Sequence, residues 1–321
     1  MNPKIRTITF ILGVCLTVIT MSGCAAFQDS LFKMGLGVER FRSGLDAKSL
    51  QLDNYTIAYT ERKGEPGGDT IILLHGFTAD KSNWVRFVRY IPAQYRILVL
   101  DMPGHGDSTQ DMDKSYTVTD MVGCVAEAID RIGLKQFHLA GNSLGGLVAT
   151  RYTLRYQNRV LTLGLFNAAG VKAPTPSDLE KHVKQGDNFL IPNSRKAFDR
   201  LMGFTFVDQP FIPWPGRAVL ARMYMKNYEL NQKMWGEINN ENGSLQDVSG
   251  QLGNIALPVL ILWGDTDRLL HVSSVSVFEQ HLPDSTTVIM KNCGHIPMME
   301  RPKEAAVHYV RFLNNHASQT R

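Results

Sequence analysis

The chain has 321 residues, 44% of them hydrophobic and 20% charged, which is ample material for a core and the composition of an ordinary globular protein. Its formal charge is +4; without Lys4 and Arg6 of the first 23 residues, 32 basic side chains face 30 acidic ones. No basic stripe with interleaved aromatics occurs, which excludes a nucleic-acid partner, and the length allows one large α/β domain with an insertion or two modest domains.

Residues 1–23 read as an export signal, with a positive start at Lys4 and Arg6 and an apolar run from Thr7 to Met21 before small residues. As a helix that run would span about 22 Å, short of the ~30 Å hydrocarbon core, so a cleaved signal is favoured over a permanent span. Met21-Ser22-Gly23-Cys24 resembles a bacterial lipobox, whose Cys is lipidated and becomes the new N-terminus. Cys24 is therefore the expected lipid anchor to a membrane. Ala25 after it, where Asp would retain the protein elsewhere, resembles an outer-membrane sorting signal, so the expected location is the bacterial envelope. A retained signal anchor and a secreted chain are the alternatives. Cys124 and Cys293 read as small buried hydrophobes, with a bridge between them left open.

Residues 24–49 have mixed polarity and read as a tether and lead-in helix. Leu50 to Tyr59 alternates on both sides of Asp53-Asn54 and predicts a hairpin. Beyond the Gly/Pro-rich loop 64–68, continuous apolar runs predict parallel strands covered on both faces. They lie at 70–74, 96–100, 137–140, 161–166, 259–263 and 286–290. Helical stretches alternate with them near 82–91, 117–132, 144–156, 272–281 and 303–315. The pattern predicts an α/β fold with a mostly parallel, doubly covered sheet, its core made of residues 50–170 and 255–321.

The rhythm breaks at residues 171–254. Phe189, Leu190, Ile191, Phe198, Leu201, Met202, Phe204, Phe206, Phe211, Ile212, Trp214, Met223, Tyr224 and Met225 crowd that stretch among four prolines. A helical cap over the active site is expected, with most of these residues packing and a minority facing a cavity.

Ligands of open parallel sheets sit beyond the carboxyl ends of the strands, so the residues that follow each strand carry the chemistry. After the strand from Phe137 comes Gly141-Asn142-Ser143-Leu144-Gly145, and then a helix-like stretch. G-x-S-x-G alone could be an ordinary glycine-rich turn; between a strand and a helix it is a nucleophile elbow with Ser143 at its tip. His75-Gly76-Phe77 follows an earlier strand. The backbone N–H groups of Phe77 and Leu144 are placed to form an oxyanion hole. His75 is assigned to holding its loop, and His105, in Asp101-Met102-Pro103-Gly104-His105-Gly106-Asp107-Ser108, to loop packing. Asp265 and Asp267 both follow the strand ending at Trp263, and either could orient the base. His295 follows the last strand and Ser and Asp in chain order; the remaining histidines read as surface or loop residues. Asp111-Met112-Asp113 makes no calcium loop, and the triad chemistry calls for no metal or organic cofactor.

The order Ser, Asp, His is that of the α/β-hydrolases, which the chain resembles over residues 50–316. The blocks His75 to Trp84, Asp101 to Ser108 and Gly141 to Gly146 are similar to those of bacterial family V lipases and membrane-anchored monoacylglycerol lipases. In that family the acid closes a G-x-x-D pattern, which here falls on Asp267 in preference to Asp265. The resemblance implies a catalytic Ser143, Asp267 and His295, oxyanion donors at Phe77 and Leu144, and hydrolysis of carboxylic esters, with a lipid-like ester such as an acylglycerol as substrate. Cleavage of carbon–carbon or amide bonds by the same triad is the alternative. A non-catalytic tethered envelope protein is the alternative of another class.

Overall fold

The computed structural model describes residues 24–240 and 247–316, so the expected export signal at 1–23 lies outside the described residues. The predicted hairpin forms. Strand β1 (Asp46–Gln51) pairs antiparallel with β2 (Thr56–Arg62), although β1 begins four residues before the expected Leu50. It does so because it is an exposed edge strand whose polar residues give no apolar signal. The lead-in is no loose tether either. Helix α1 occupies Ala25–Arg42, directly after Cys24.

The six predicted core strands are β3 (Thr70–Leu74), β4 (Arg96–Leu100), β5 (Phe137–Ser143), β6 (Val160–Ala168), β7 (Val259–Gly264) and β8 (Ser285–Met290). They form one eight-stranded sheet in the order β1-β2-β4-β3-β5-β6-β7-β8. From β4 onward every pairing is parallel. Side chains alternate across a strand, so each strand feeds two cores. Ile72 and Leu74 join the core under α3 (Val118–Ile132) and α4 (Leu144–Tyr156), whereas Ile71 and Leu73 join the opposite core under α2 (Val85–Val88) and, further along the chain, the helix at 302–316. Phe166 anchors the second core, its ring 5.1 Å from Trp84, 5.6 Å from Phe87 and 5.7 Å from Tyr309. Edge-to-face pairs of this kind add about 0.5–1.5 kcal/mol each beyond their burial.

Between β6 and β7 the described residues carry α5 (Asp178–Lys184), α6 (Arg195–Thr205), α7 (Gly216–Lys226), α8 (Tyr228–Asn240) and α9 (Ser249–Leu252). Two small apolar clusters hold this insertion. One is Leu179, Phe189 and Leu201 with Leu269 from the main domain, the other Phe198, Met202, Phe206 and Ala221. After β7 come α10 (Ser274–His281), α11 (Pro297–Glu300) and α12 (Pro302–His316).

Cys124 and Cys293 are both buried free thiols, so no bridge joins them. His138 departs from the expectation of a surface or loop histidine. It sits buried in β5, its Nδ1 2.9 Å from the Thr162 hydroxyl of β6, a satisfied core residue. Among the described residues no helix is long and apolar enough to cross a membrane.

Candidate active site

Ser143 ends β5 and begins the turn into α4 with φ 54° and ψ −120°, a left-handed conformation that side chains rarely adopt and that stores about 1–3 kcal/mol of strain. The turn closes because its flanks are glycine. A Cβ on Gly141 would lie 2.1 Å from the Gly145 carbonyl oxygen, and one on Gly145 would lie 2.4 Å from that of His75. Strand, helix and the β3 loop can therefore approach at backbone distance. Ser143 and the start of α4 are thereby held against the loop that carries Phe77.

The acid and base come from two further strand ends. Asp267 follows β7, His295 follows β8, and Asp267 Oδ2 accepts a hydrogen bond from His295 Nδ1 at 2.7 Å with both side chains buried. The same oxygen accepts from Asn167 Nδ2 at 2.7 Å, and Oδ1 accepts from the backbone N–H groups of Leu269 and Leu270 at 2.8 and 3.0 Å. Four donors around an acceptor-only group match the ionised carboxylate. Asp265 instead faces Thr266 and Lys291 and, among the described residues, makes no contact with His295. The His295 backbone is fixed as well: its N–H donates to the Thr205 carbonyl at the end of α6, and its carbonyl accepts from Asn142 Nδ2.

Asn167 and Asn142 are the two residues that sequence reasoning missed. Asn167, fully buried with φ 44° at the end of β6, joins three strand ends, since its Oδ1 also accepts from the Gly264 N–H of β7 and its Nδ2 lies 3.4 Å from the Gly294 carbonyl beyond β8. Its position after a strand was readable, but nothing in the amide marked it. Asn142 stands inside the elbow motif, where attention goes to the serine.

The β3 loop is tied to the loop after β4. His75 Nε2 accepts from the Met102 N–H at 3.0 Å while its Nδ1 lies 2.8 Å from the Gly76 carbonyl, which fixes a neutral tautomer and the loop-holding role expected of it. His105 is buried beside it, ring centres 5.0 Å apart. Below them Lys81 Nζ donates to Asp101 Oδ2 at 2.5 Å and to Asp107 Oδ2 at 2.7 Å, and Asp101 also accepts from the Lys81 and Asp107 backbones. Burial opposes the Lys81 charge, but Asp101 and Asp107 outweigh it and hold the ammonium above its ordinary pKa. Breaking a buried pair strands the partner. Lys81→Met should cost about 3–5 kcal/mol in denaturant unfolding, against under 1 kcal/mol for removing the exposed carboxylate in Asp107→Asn. Equal losses for the two variants would show that the triad is no buried anchor.

Ser143, His295, Phe77 and Leu144 line one cavity of about 930 Å³. More than half of the apolar set singled out in the insertion lines it, Leu190, Phe198, Leu201, Met202, Trp214 and Tyr224 among them, where only a minority was expected. Helix α1, read as a lead-in, contributes Leu31, Phe32 and Leu36 to the same wall. Among the described residues no group of His, Cys, Asp or Glu is arranged to hold a metal ion.

A family model described as the alpha/beta hydrolase fold matches residues 69–302. The chain belongs to the α/β-hydrolase family. This hydrolase is 29% identical to Lipase 1 of Psychrobacter immobilis over 92% of its own length and 93% of the relative's. It is 30% identical to monoacylglycerol lipase abhd6-A of Xenopus laevis, with 85% and 83% covered. A solved structure described as a membrane phospholipase A, a bacterial virulence factor, superposes with a TM-score of 0.88 at 38% identity, covering 96% of this chain and 99% of that one. A serine hydrolase of carbazole degradation, at 20% identity and a TM-score of 0.72 over 84% of this chain and 99% of its own, shares the fold.

Proposed function

We propose that this hydrolase cleaves carboxylic esters of acyl lipids through an acyl-enzyme, with Ser143 as nucleophile, His295 as general base and Asp267 as the acid that orients it. The observation that carries the reading is the 2.7 Å contact between His295 Nδ1 and Asp267, with His295 and Ser143 facing one apolar cavity. His295 Nε2 takes the Ser143 proton as the oxygen attacks the ester carbonyl. The N–H groups of Phe77 and Leu144 receive the developing oxyanion, where one such donor is worth about 3 kcal/mol. His295 then protonates the leaving alcohol, and water repeats the cycle to release the fatty acid. Asp267 remains ionised throughout and holds the tautomer that leaves Nε2 free.

The relatives named as lipases and the phospholipase neighbour favour acylglycerols or glycerophospholipids over small esters. The cavity supports this too, because its wall is mostly aliphatic and aromatic and much of it comes from the helices between β6 and β7. Cys24, exposed at the start of α1, is the proposed lipid anchor, holding the enzyme at the outer membrane of a bacterial envelope.

A fluorophosphonate probe should modify Ser143 alone, read by mass spectrometry of the labelled peptide, and turnover of p-nitrophenyl esters should rise from acetyl to medium or long acyl chains. An unlabelled Ser143 in folded protein would refute the mechanism. A rate that falls steadily with chain length would refute the lipid substrate.

A further inference from the structure

Helix α1 has two apolar faces. One, with Phe32 and Leu36, closes the cavity wall; a Cβ on Gly216 of α7 would lie 3.4 Å from the Phe32 ring, so the helix packs on the insertion. The other carries Met34, Val38 and Phe41, spaced i, i+4 and i+7, all exposed, with Phe41 86% accessible. Next to it stand Phe211 (79%) and Trp214 (62%) from the segment before α7. The two groups are neighbours: Arg86 pairs with Glu39 of α1 and donates to the Phe211 carbonyl, while Val38 and Trp214 line the same cavity. Val38 and Trp214, exposed on one side and lining the cavity on the other, thus bring the exposed apolar surface to the cavity's rim.

We propose that this surface, Met34, Val38 and Phe41 with Phe211 and Trp214, inserts into the membrane and lets acyl chains pass from the bilayer into the cavity between Val38 and Trp214. Three features select a lipid surface as the occupant. The residues immediately before α1 are the apolar run ending at Met21 and then Cys24, so the N-terminal end of this helix is where any anchor holds the chain to a bilayer. Both acids of α1 turn to the protein, Asp29 to Arg222 and Glu39 to Arg86 and Arg89, while Lys33 and Arg42 are exposed on the helix and suit anionic headgroups. A second copy seated on the same patch would cover the cavity opening, whereas a bilayer covers it and supplies the substrate. Apolar area of this extent on a soluble face marks an interaction site. This placement rests on the lipid-ester reading of the cavity.

The test uses the full chain reconstituted into vesicles of phosphatidylcholine and phosphatidylglycerol. Trp214 emission, taken as the difference between the chain and Trp214→Phe, should be quenched by phospholipids brominated on their acyl chains. The triple variant Met34→Gln, Phe41→Gln, Phe211→Gln alters three exposed side chains outside the cavity wall. It should turn over a dissolved short-chain ester at the unaltered rate and vesicle-borne lipid about tenfold more slowly, because the lost apolar area weakens insertion. Unquenched Trp214, equal rates on vesicles, or cross-linking of two copies through Phe41→Cys would each overturn the proposal. If dissolved esters are not hydrolysed at all, the hydrolase reading fails, and the quenching result still decides whether the surface enters the membrane.

Discussion

Ser143→Ala and His295→Ala should each lower kcat on a dissolved ester by roughly 10⁴- to 10⁶-fold, and the double variant should lose no more than the worse of the two, because a nucleophile without its base and a base without its nucleophile fail at the same step. Asp267→Asn is the more demanding test. Both carboxylate oxygens accept only, Oδ1 from two backbone N–H groups and Oδ2 from Asn167 and His295. An asparagine in either orientation sets its NH₂ against two donors. The imidazole then rotates or changes tautomer, Nε2 no longer accepts the serine proton, and kcat falls by about 10⁴ with the fold retained. Circular dichroism and denaturant midpoints separate lost chemistry from lost structure. A fully folded Asp267→Asn protein with kcat within tenfold of the unaltered chain would remove Asp267 from the mechanism.

That the site could be drawn from the sequence at all follows from topology. In a parallel sheet the residue after each strand points to one rim, so locating strand ends locates candidates. Ser143 and His295 stand at such ends; the end of β7 offers Asp265 and Asp267 alike, and only the family's G-x-x-D pattern selects Asp267. The elbow was legible because its glycines are dictated by the backbone around them: a Cβ on Gly141 or Gly145 would fall 2.1 or 2.4 Å from a carbonyl oxygen, so no other residue fits. Asn167 was not legible, because its role is to bridge strand ends 97 and 127 positions away, Gly264 and Gly294, and an amide carries no local signature of that. Helix α1 was underread for a related reason. Its apolar residues divide between a cavity wall and an outer face, so neither stripe stands out along the chain. His138 was misjudged because a histidine in a strand is polar by type, yet one hydroxyl across the β5–β6 pairing satisfies it.

Acid should loosen this protein at pH values where its surface carboxylates are still ionised. Burial depresses His75 to about 4, and burial together with the nearby His75 depresses His105 to about 3, against about 6.5 for histidine in an unfolded chain. Both rings are therefore neutral in the folded protein at pH 7. Groups with depressed folded values contribute stability that is complete above pH 6.5 and drains away as the pH falls toward 4 and 3, since the unfolded chain takes up the protons first. Asp101 works in the opposite sense. Burial and the neighbouring Asp80 carboxylate raise it to about 6, so its folded form gains relative stability on acidification. Two depressed histidines stand against one raised carboxyl, so the net effect of acidification is a loss of stability. The structural reason is specific: a proton on His75 Nε2 removes the acceptor of the Met102 N–H and unties the loop that carries Phe77, and a proton on His105 Nε2 finds no partner in a buried site. Denaturant unfolding at pH 7.5, 6, 5 and 4 should show stability falling below pH 6.5, with ester turnover declining in step. His105→Gln, which cannot titrate, should be less stable at pH 7.5 but lose less on acidification. A stability flat to pH 4 in the unaltered chain would mean that these rings are not held neutral by the fold.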